Sequence, residues 1–144
     1  MNGLDHQLSD LTLSGPCATR ISAGALAAAA VAKGFGVYEI DLACVADKAA
    51  LMQEMQHALA LPEWFGRNWD ALEDCLTDMS WHEDDVGYVL LLAASGDLRR
   101  RDRALFLTLV DVLKSAADYW RGAERPFWAF FLDLPPDDIV PALP

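Results

Sequence analysis

Side chains that could do chemistry are concentrated in one acidic stretch near the middle of the chain. The pattern of residues 69–79 predicts a helix. At about 100° per residue, Asp70, Asp74 and Thr77 fall on one side of it, opposite the apolar positions. The oxygen-bearing side chains on or beside this side are Asp70, Glu73, Asp74, Thr77 and Asp78. A row of carboxylates of this kind suits a positively charged protein partner and would speed their encounter.

The segment before this helix adds aromatic and backbone signals. Trp64 and Phe65 are consecutive in a short loop that ends at Gly66, so the two rings cannot easily both be buried. An exposed aromatic ring beside carboxylates is typical of a protein-binding hot spot. Asn68 is predicted to cap the helix, because its side chain can accept a hydrogen bond from a first-turn N–H group.

Two other interpretations of the acidic row remain open. It could be an ordinary solvated helix face, or Asp70 and Asp74 could serve an enzyme as metal ligands or as an acid–base pair. The histidines available for such a site are His6, His57 and His82. The sequence contains no HExxH, P-loop, GxSxG or DxDxG motif, and exposed aspartates lack the buried surroundings that tune pKa values. We therefore expect no enzymatic activity, cofactor or metal.

The overall charge narrows the class of partner. The chain carries 22 acidic and 11 basic residues, a net charge of −11. The phosphate backbone of DNA or RNA would be repelled, so a direct nucleic-acid ligand is not expected. Four of the eleven basic residues cluster in one place, at Arg99, Arg100, Arg101 and Arg103.

Composition and length favour a single globular domain without a membrane segment. No apolar run approaches the ~18–20 residues of a membrane-spanning helix. The first residues lack the basic start of a secretory signal, so we expect the protein to be cytoplasmic. The three cysteines, Cys17, Cys44 and Cys75, are too widely spaced for a CxxC motif and are expected to be buried thiols.

Alternating helical and apolar segments predict an α/β fold. Right-handed crossovers between the strands imply a small, three-stranded parallel sheet flanked by helices. Residues 1–35 are expected to form an N-terminal extension with a short helix, 36–135 the main domain and 136–144 a tail. Residues 1–15 are expected to be a flexible lead-in or an edge strand. Strands are predicted over 36–42, 86–94 and 126–132, and helices over 23–33, 47–60, 69–79 and 102–120.

Residues 61–77 read Leu-Pro-Glu-Trp-Phe-Gly-Arg-Asn-Trp-Asp-Ala-Leu-Glu-Asp-Cys-Leu-Thr. This segment resembles the signature loop and second helix of the barstar family, over seventeen positions without a gap. The order of elements from Gly36 to Leu134 also fits that fold. The resemblance implies a stoichiometric inhibitor of a basic, guanyl-specific extracellular ribonuclease, in which the loop and helix plug the active site and carboxylates replace RNA phosphates. The partner-binding residues it suggests, with the acidic neighbours, are Trp64, Gly66, Asn68, Asp70, Glu73, Asp74, Thr77 and Asp78.

Three features depart from the family pattern. The arginines from Arg99 to Arg103 would repel a basic enzyme if they reached the interface, and the first 35 residues have no counterpart in the minimal inhibitor. The third departure is an interface position. Barstar has a further interface glutamate early in its last helix, where an ungapped alignment of this chain places Leu107. The alternative function is therefore a protein-interaction or regulatory module that keeps the fold without inhibiting a ribonuclease.

Overall fold

The computed structural model describes residues 3–82, 84–132, 134–136 and 140–143. Over these residues, one or two helices separate each strand from the next along the chain, as in an α/β fold. Two short 3-10 turns, Leu42–Cys44 and Ser80–His82, connect them. The strands are β1 (Pro16–Thr19), β2 (Gly36–Asp41), β3 (Tyr88–Ala93) and β4 (Phe127–Leu132), and the helices are α1 (Gly3–Leu8), α2 (Ala23–Ala32), α3 (Lys48–Ala58), α4 (Trp69–Leu76), α5 (Ser95–Arg101) and α6 (Arg103–Gly122).

The described strands form one parallel sheet in the order β1–β4–β3–β2. Leu90 of β3 lies opposite Tyr38 of β2 and Ala129 of β4, so the two apolar runs occupy the centre. Strands buried on both faces are expected to be continuously apolar, which is how β3 and β4 were recognised in the sequence.

The predicted three-stranded sheet is wrong by one strand. The additional strand, β1, pairs with β4, and Cys17 lies opposite Phe130. Its four residues, Pro-Cys-Ala-Thr, are too few to show an alternating pattern. They become a strand through backbone hydrogen bonding to a segment far along the chain, for example from Ala129 N–H to Gly15 C=O at 3.1 Å.

Alternate side chains of the central strands enter two separate cores. Leu90 and Phe131 belong to the core that contains residues of α3, α4 and α6. Val89 and Phe130 point to the other face, where they pack with residues of α1 and α2. The indole Nε1–H of Trp128 on that face donates to the Leu8 carbonyl at 3.0 Å. Residues before 35 therefore supply both a strand and the helical cover of one face of the sheet.

Polar side chains cap the starts of three helices. The side chains of Ser22, Asp47 and Asp102 accept hydrogen bonds at the starts of α2, α3 and α6. Gly34, with φ +81°, lies just beyond the end of α2, in a conformation that favours glycine.

Two local expectations are wrong, and one helix was not predicted. The first residues form helix α1, rather than a flexible lead-in, before the edge strand begins at Pro16. Helix α5 was not predicted, since seven residues directly after a strand give too short a pattern to recognise. Cys44 is exposed, whereas Cys17 and Cys75 are buried as expected.

Candidate protein-binding site

The start of α4 is fixed by its predicted cap. Asn68 has extended backbone angles, and its side-chain oxygen accepts a hydrogen bond from Ala71 N–H at 2.8 Å. Leu72, Cys75 and Leu76 are completely buried, which anchors the opposite side of the helix in the core. Asp70, Glu73 and Asp74 are consequently exposed.

The end of α4 differs from the prediction. The helix stops at Leu76, three residues before the expected end at Met79. Met79 has φ +52°, which cannot continue a right-handed helix, and its side chain is nevertheless buried. The indole Nε1–H of Trp120 on α6 donates to the Leu76 carbonyl at 2.7 Å and satisfies one terminal acceptor. Asp78 is exposed and lies in the turn that follows the helix.

Thr77 forms the C-cap of α4. Its hydroxyl lies 2.9 Å from the Glu73 carbonyl and 3.3 Å from the Asp74 carbonyl, toward which it donates. Since the single hydroxyl proton is directed to the helix, Thr77 can offer a partner its oxygen lone pairs.

The two consecutive aromatic residues divide between surface and core. Trp64 is 68% exposed and Phe65 is 5% exposed. Phe65 N–H donates to the Pro62 carbonyl at 3.0 Å, and this tight turn sends the two rings in different directions. The structure therefore supports the expectation that one ring remains exposed, and identifies it as Trp64.

Gln56 on α3 holds the loop from the side, a role that the sequence did not reveal. Its Nε2 donates to the Pro62 carbonyl at 3.3 Å, and its Oε1 accepts from Arg67 Nε at 3.0 Å. Arg67 has φ +54°, so these contacts hold a backbone conformation that is unusual for a residue with a side chain. Gly66 precedes it in an exposed position, where an added Cβ would lie 3.4 Å from the Ala71 Cβ and from Asn68 Nδ2.

The acidic row is electrostatically uncompensated within the described ranges. None of the ion pairs found there involves Asp70, Glu73, Asp74 or Asp78. Burial raises the pKa of the Cys75 thiol, and the carboxylates of Asp78 and Asp74 raise it further. A negative potential at this helix is available to attract a cation.

A second aromatic residue, Trp81, adjoins this surface and was not singled out from the sequence. The Trp64 and Trp81 rings meet edge to face, with centroids 6.4 Å apart and planes at 89°. Trp81 in turn contacts His82, whose Nε2 lies 2.8 Å from the Leu59 carbonyl. This last contact joins the 3-10 turn to Leu59, which follows the last residue of α3 and precedes the aromatic loop.

The residues considered for an enzyme are not assembled into a site. His6 lies on α1, against the other face of the sheet, and His57 is exposed near the end of α3. In the part of the chain that the structure describes, no group of three or more His, Cys, Asp or Glu side chains could hold a metal ion.

The arginine cluster lies at the other end of β3 from Trp81. Helix α5 follows the carboxyl end of that strand, whereas the turn at Ser80–His82 precedes its amino end. A strand of six residues spans about 20 Å. Arg101 is exposed, and its Nη2 donates to the Leu42 carbonyl at 3.0 Å. Leu107, at the aligned position of the family's second acid, packs partly buried against the main core.

Comparison with known proteins agrees with this geometry. The family model described as Barstar (barnase inhibitor) matches residues 35–132, which is more than half of the chain. The match spans the aromatic loop, α4 and the central strands. A search of the curated proteins gave no match. No helix among the described residues is long and apolar enough to cross a membrane.

Proposed function

We propose that the chain, which belongs to the barstar (barnase inhibitor) family, is a stoichiometric inhibitor of a basic, guanyl-specific ribonuclease of the secreted type. The members of this family are inhibitors and not enzymes. We place this activity in the cytoplasm. The observation that carries the proposal is the exposed carboxylate row of α4 beside the exposed ring of Trp64. The row presents anions along the exposed side of a capped helix, and a nuclease active site binds anions.

Inhibition follows from occupation of the phosphate site. Asp74, near the centre of the row, enters the cationic pocket of the enzyme and pairs with an arginine or lysine. Asp70 forms a second charge pair, and Trp64 packs against the wall of the base-binding site. Glu73, Thr77 and Asp78 surround these contacts, while Gly66 and Asn68 shape the backbone that presents them. RNA is excluded because the cations of the enzyme's active site cannot bind the carboxylates of this protein and the phosphates of RNA at the same time.

The local structure reduces the cost of binding. Asn68 fixes the first turn of α4, and Gln56 fixes the loop, so the acidic side chains and Trp64 start from an ordered backbone. A binding surface that is already ordered loses less conformational entropy on association than a mobile one.

The experiment that tests this function is an RNA-degradation assay with a panel of secreted basic ribonucleases. Purified protein is titrated into each enzyme, and complex formation is measured in parallel by calorimetry. We expect hydrolysis by a cognate enzyme to stop near one-to-one stoichiometry. Full activity of every enzyme at a large excess of the protein would refute the proposal.

A second candidate function is a regulatory interaction module with the same fold. Leu107 favours it, because an apolar, partly buried residue occupies the aligned position of an interface glutamate. In that case the protein would form a complex with a basic protein without changing RNA hydrolysis. The parallel calorimetric measurement separates these two outcomes.

A further inference from the structure

One polar atom of the candidate site lacks a hydrogen-bond partner. Among the buried side-chain nitrogen and oxygen atoms of the described residues, only Trp81 Nε1 has no partner. The indole N–H groups of two other tryptophans do have acceptors. Trp120 and Trp128 donate to main-chain carbonyls at 2.7 and 3.0 Å, respectively. A buried donor without an acceptor costs free energy and is rare in folded proteins.

The unpartnered indole lies next to the proposed binding surface. Trp81 follows Asp78 by three residues, and its ring meets the ring of Trp64 edge to face. On its other side it contacts His82, which the Leu59 carbonyl holds in place. Trp81 also packs against the main core, so the core and His82 support it, and it meets the exposed ring of Trp64 as well.

The ring of Trp64 is suited to leave this position. It is the most exposed of the large apolar side chains described, at 68%, and rotation about its side-chain bonds would carry it away from Trp81. A protein that packs against Trp64 would bury apolar area and bring polar groups toward Trp81. An acceptor supplied at that point would satisfy the indole donor.

We propose that Trp81 is a second contact residue for the partner. A main-chain carbonyl of the partner accepts a hydrogen bond from Trp81 Nε1 once Trp64 has packed against the partner. The acceptor is neutral, because the exposed carboxylates of Asp74, Asp78 and Asp84 would repel an acidic side chain. This inference rests on the proposed function and extends the interface from α4 and its loop to the following turn.

The test compares two identical substitutions. Trp81→Phe keeps an aromatic ring and removes the unpartnered donor, whereas Trp128→Phe removes a donor that the Leu8 carbonyl uses on the other face of the sheet. We expect Trp81→Phe to weaken binding to a cognate ribonuclease about tenfold, or about 1.4 kcal/mol. Trp128→Phe should leave affinity within twofold and lower the stability of the free protein by more than Trp81→Phe does.

Two-dimensional NMR of the indole groups gives an independent readout. The chain has five tryptophans, and Trp81→Phe assigns the resonance of interest by its disappearance. On addition of the ribonuclease, we expect the Trp81 indole proton to move downfield and to exchange more slowly with water. The Trp120 and Trp128 indole protons should keep their shifts.

The outcomes separate the two proposals. If the wild-type protein binds no ribonuclease of the panel, the proposed function fails and this inference fails with it. A different result overturns only the role of Trp81. In that result the wild type binds a ribonuclease and Asp74→Ala weakens the binding, but Trp81→Phe binds as tightly as the wild type. The Trp81 indole resonance of the wild type also does not move when the ribonuclease is added.

Discussion

Trp120 donates its indole hydrogen to the carbonyl oxygen of Leu76 across 2.7 Å, and this single contact joins the last turn of α6 to the last turn of α4. Both residues are buried. The contact satisfies a terminal carbonyl where Met79 has already turned the backbone away from a helix. The position at which the acidic helix ends is therefore set in part by a residue more than forty positions away.

Removal of this donor should destabilise the protein. Trp120→Phe leaves the buried Leu76 carbonyl without its partner, which costs about 1–3 kcal/mol in the free energy of unfolding. Urea unfolding followed by circular dichroism measures the change. Trp64→Phe is the matched control, since that ring is 68% exposed, and it should change stability by less than about 0.5 kcal/mol. Equal losses in the two variants would contradict this role for Trp120.

Asp74→Ala should weaken binding to a cognate ribonuclease by at least about 2 kcal/mol, because it removes the central carboxylate of the proposed contact. Titration calorimetry measures the difference. Asp5→Ala also removes one negative charge, but from an exposed pair with Lys33 on the other side of the sheet, so it should leave affinity nearly unchanged. An equal effect of both substitutions would mean that overall charge, rather than Asp74, determines binding.

Asn68→Ala should lower the free energy of unfolding by about 0.5–2 kcal/mol, because the first turn of α4 loses the side-chain acceptor that Ala71 N–H uses at 2.8 Å. Asn68→Asp keeps an acceptor at the same position and should restore most of the loss. Thermal or urea unfolding distinguishes the variants. Equal stability of Asn68→Ala and the wild type would show that the cap contributes little.

Leu26→Ala should destabilise the protein by about 2–5 kcal/mol, although it lies before the segment that matches the family model. Leu26 on α2 is completely buried in the core that contains Trp128 and Phe130. Val31→Ala on the same helix is the control, since Val31 is 65% exposed and its truncation should be nearly neutral. Similar stability of both variants would indicate that α2 is not an integral cover of the sheet.

Stability should fall in alkaline solution through Cys17. Burial raises the pKa of its thiol from the ordinary value near 9 to about 12. The unfolded chain releases the proton above about pH 9 while the folded protein keeps it, so this contribution is complete below pH 9 and is lost toward pH 12. The loss amounts to at most about 1.4 kcal/mol per pH unit.

Comparison with Cys17→Ala isolates that effect from other groups that titrate at high pH. Urea unfolding of both proteins is measured at neutral pH and at about pH 10, within the affected range. The stability of the wild type should fall more steeply with pH than that of the variant. Parallel decreases would show that the thiol is not the cause.

Local sequence signals were sufficient where the structure depends on neighbouring residues. Asn68 was recognisable as a cap because its side chain bonds an N–H group only three positions away. The central strands were recognisable because burial on both faces requires an uninterrupted apolar run. The carboxylates of α4 could be assigned to one side because helical geometry fixes their directions.

Contacts between distant segments decided the remaining features. Strand β1 exists because it pairs with β4, and no property of its four residues predicts that partner. This pairing also places β4 inside the sheet. The end of α4 depends on Met79 and Trp120, and the unpartnered nitrogen of Trp81 depends on which segments surround it.

The sequence alone determined the α/β class, the cap of α4, the acidic side of that helix and the resemblance to an inhibitor family, because these depend on spacing along the chain. Only the tertiary structure decided that the sheet has a fourth strand, that Trp64 is exposed while Phe65 is buried, and that Trp81 lies beside the acidic surface. The physical reason is that burial and hydrogen-bond satisfaction depend on partners that folding brings together from distant parts of the chain.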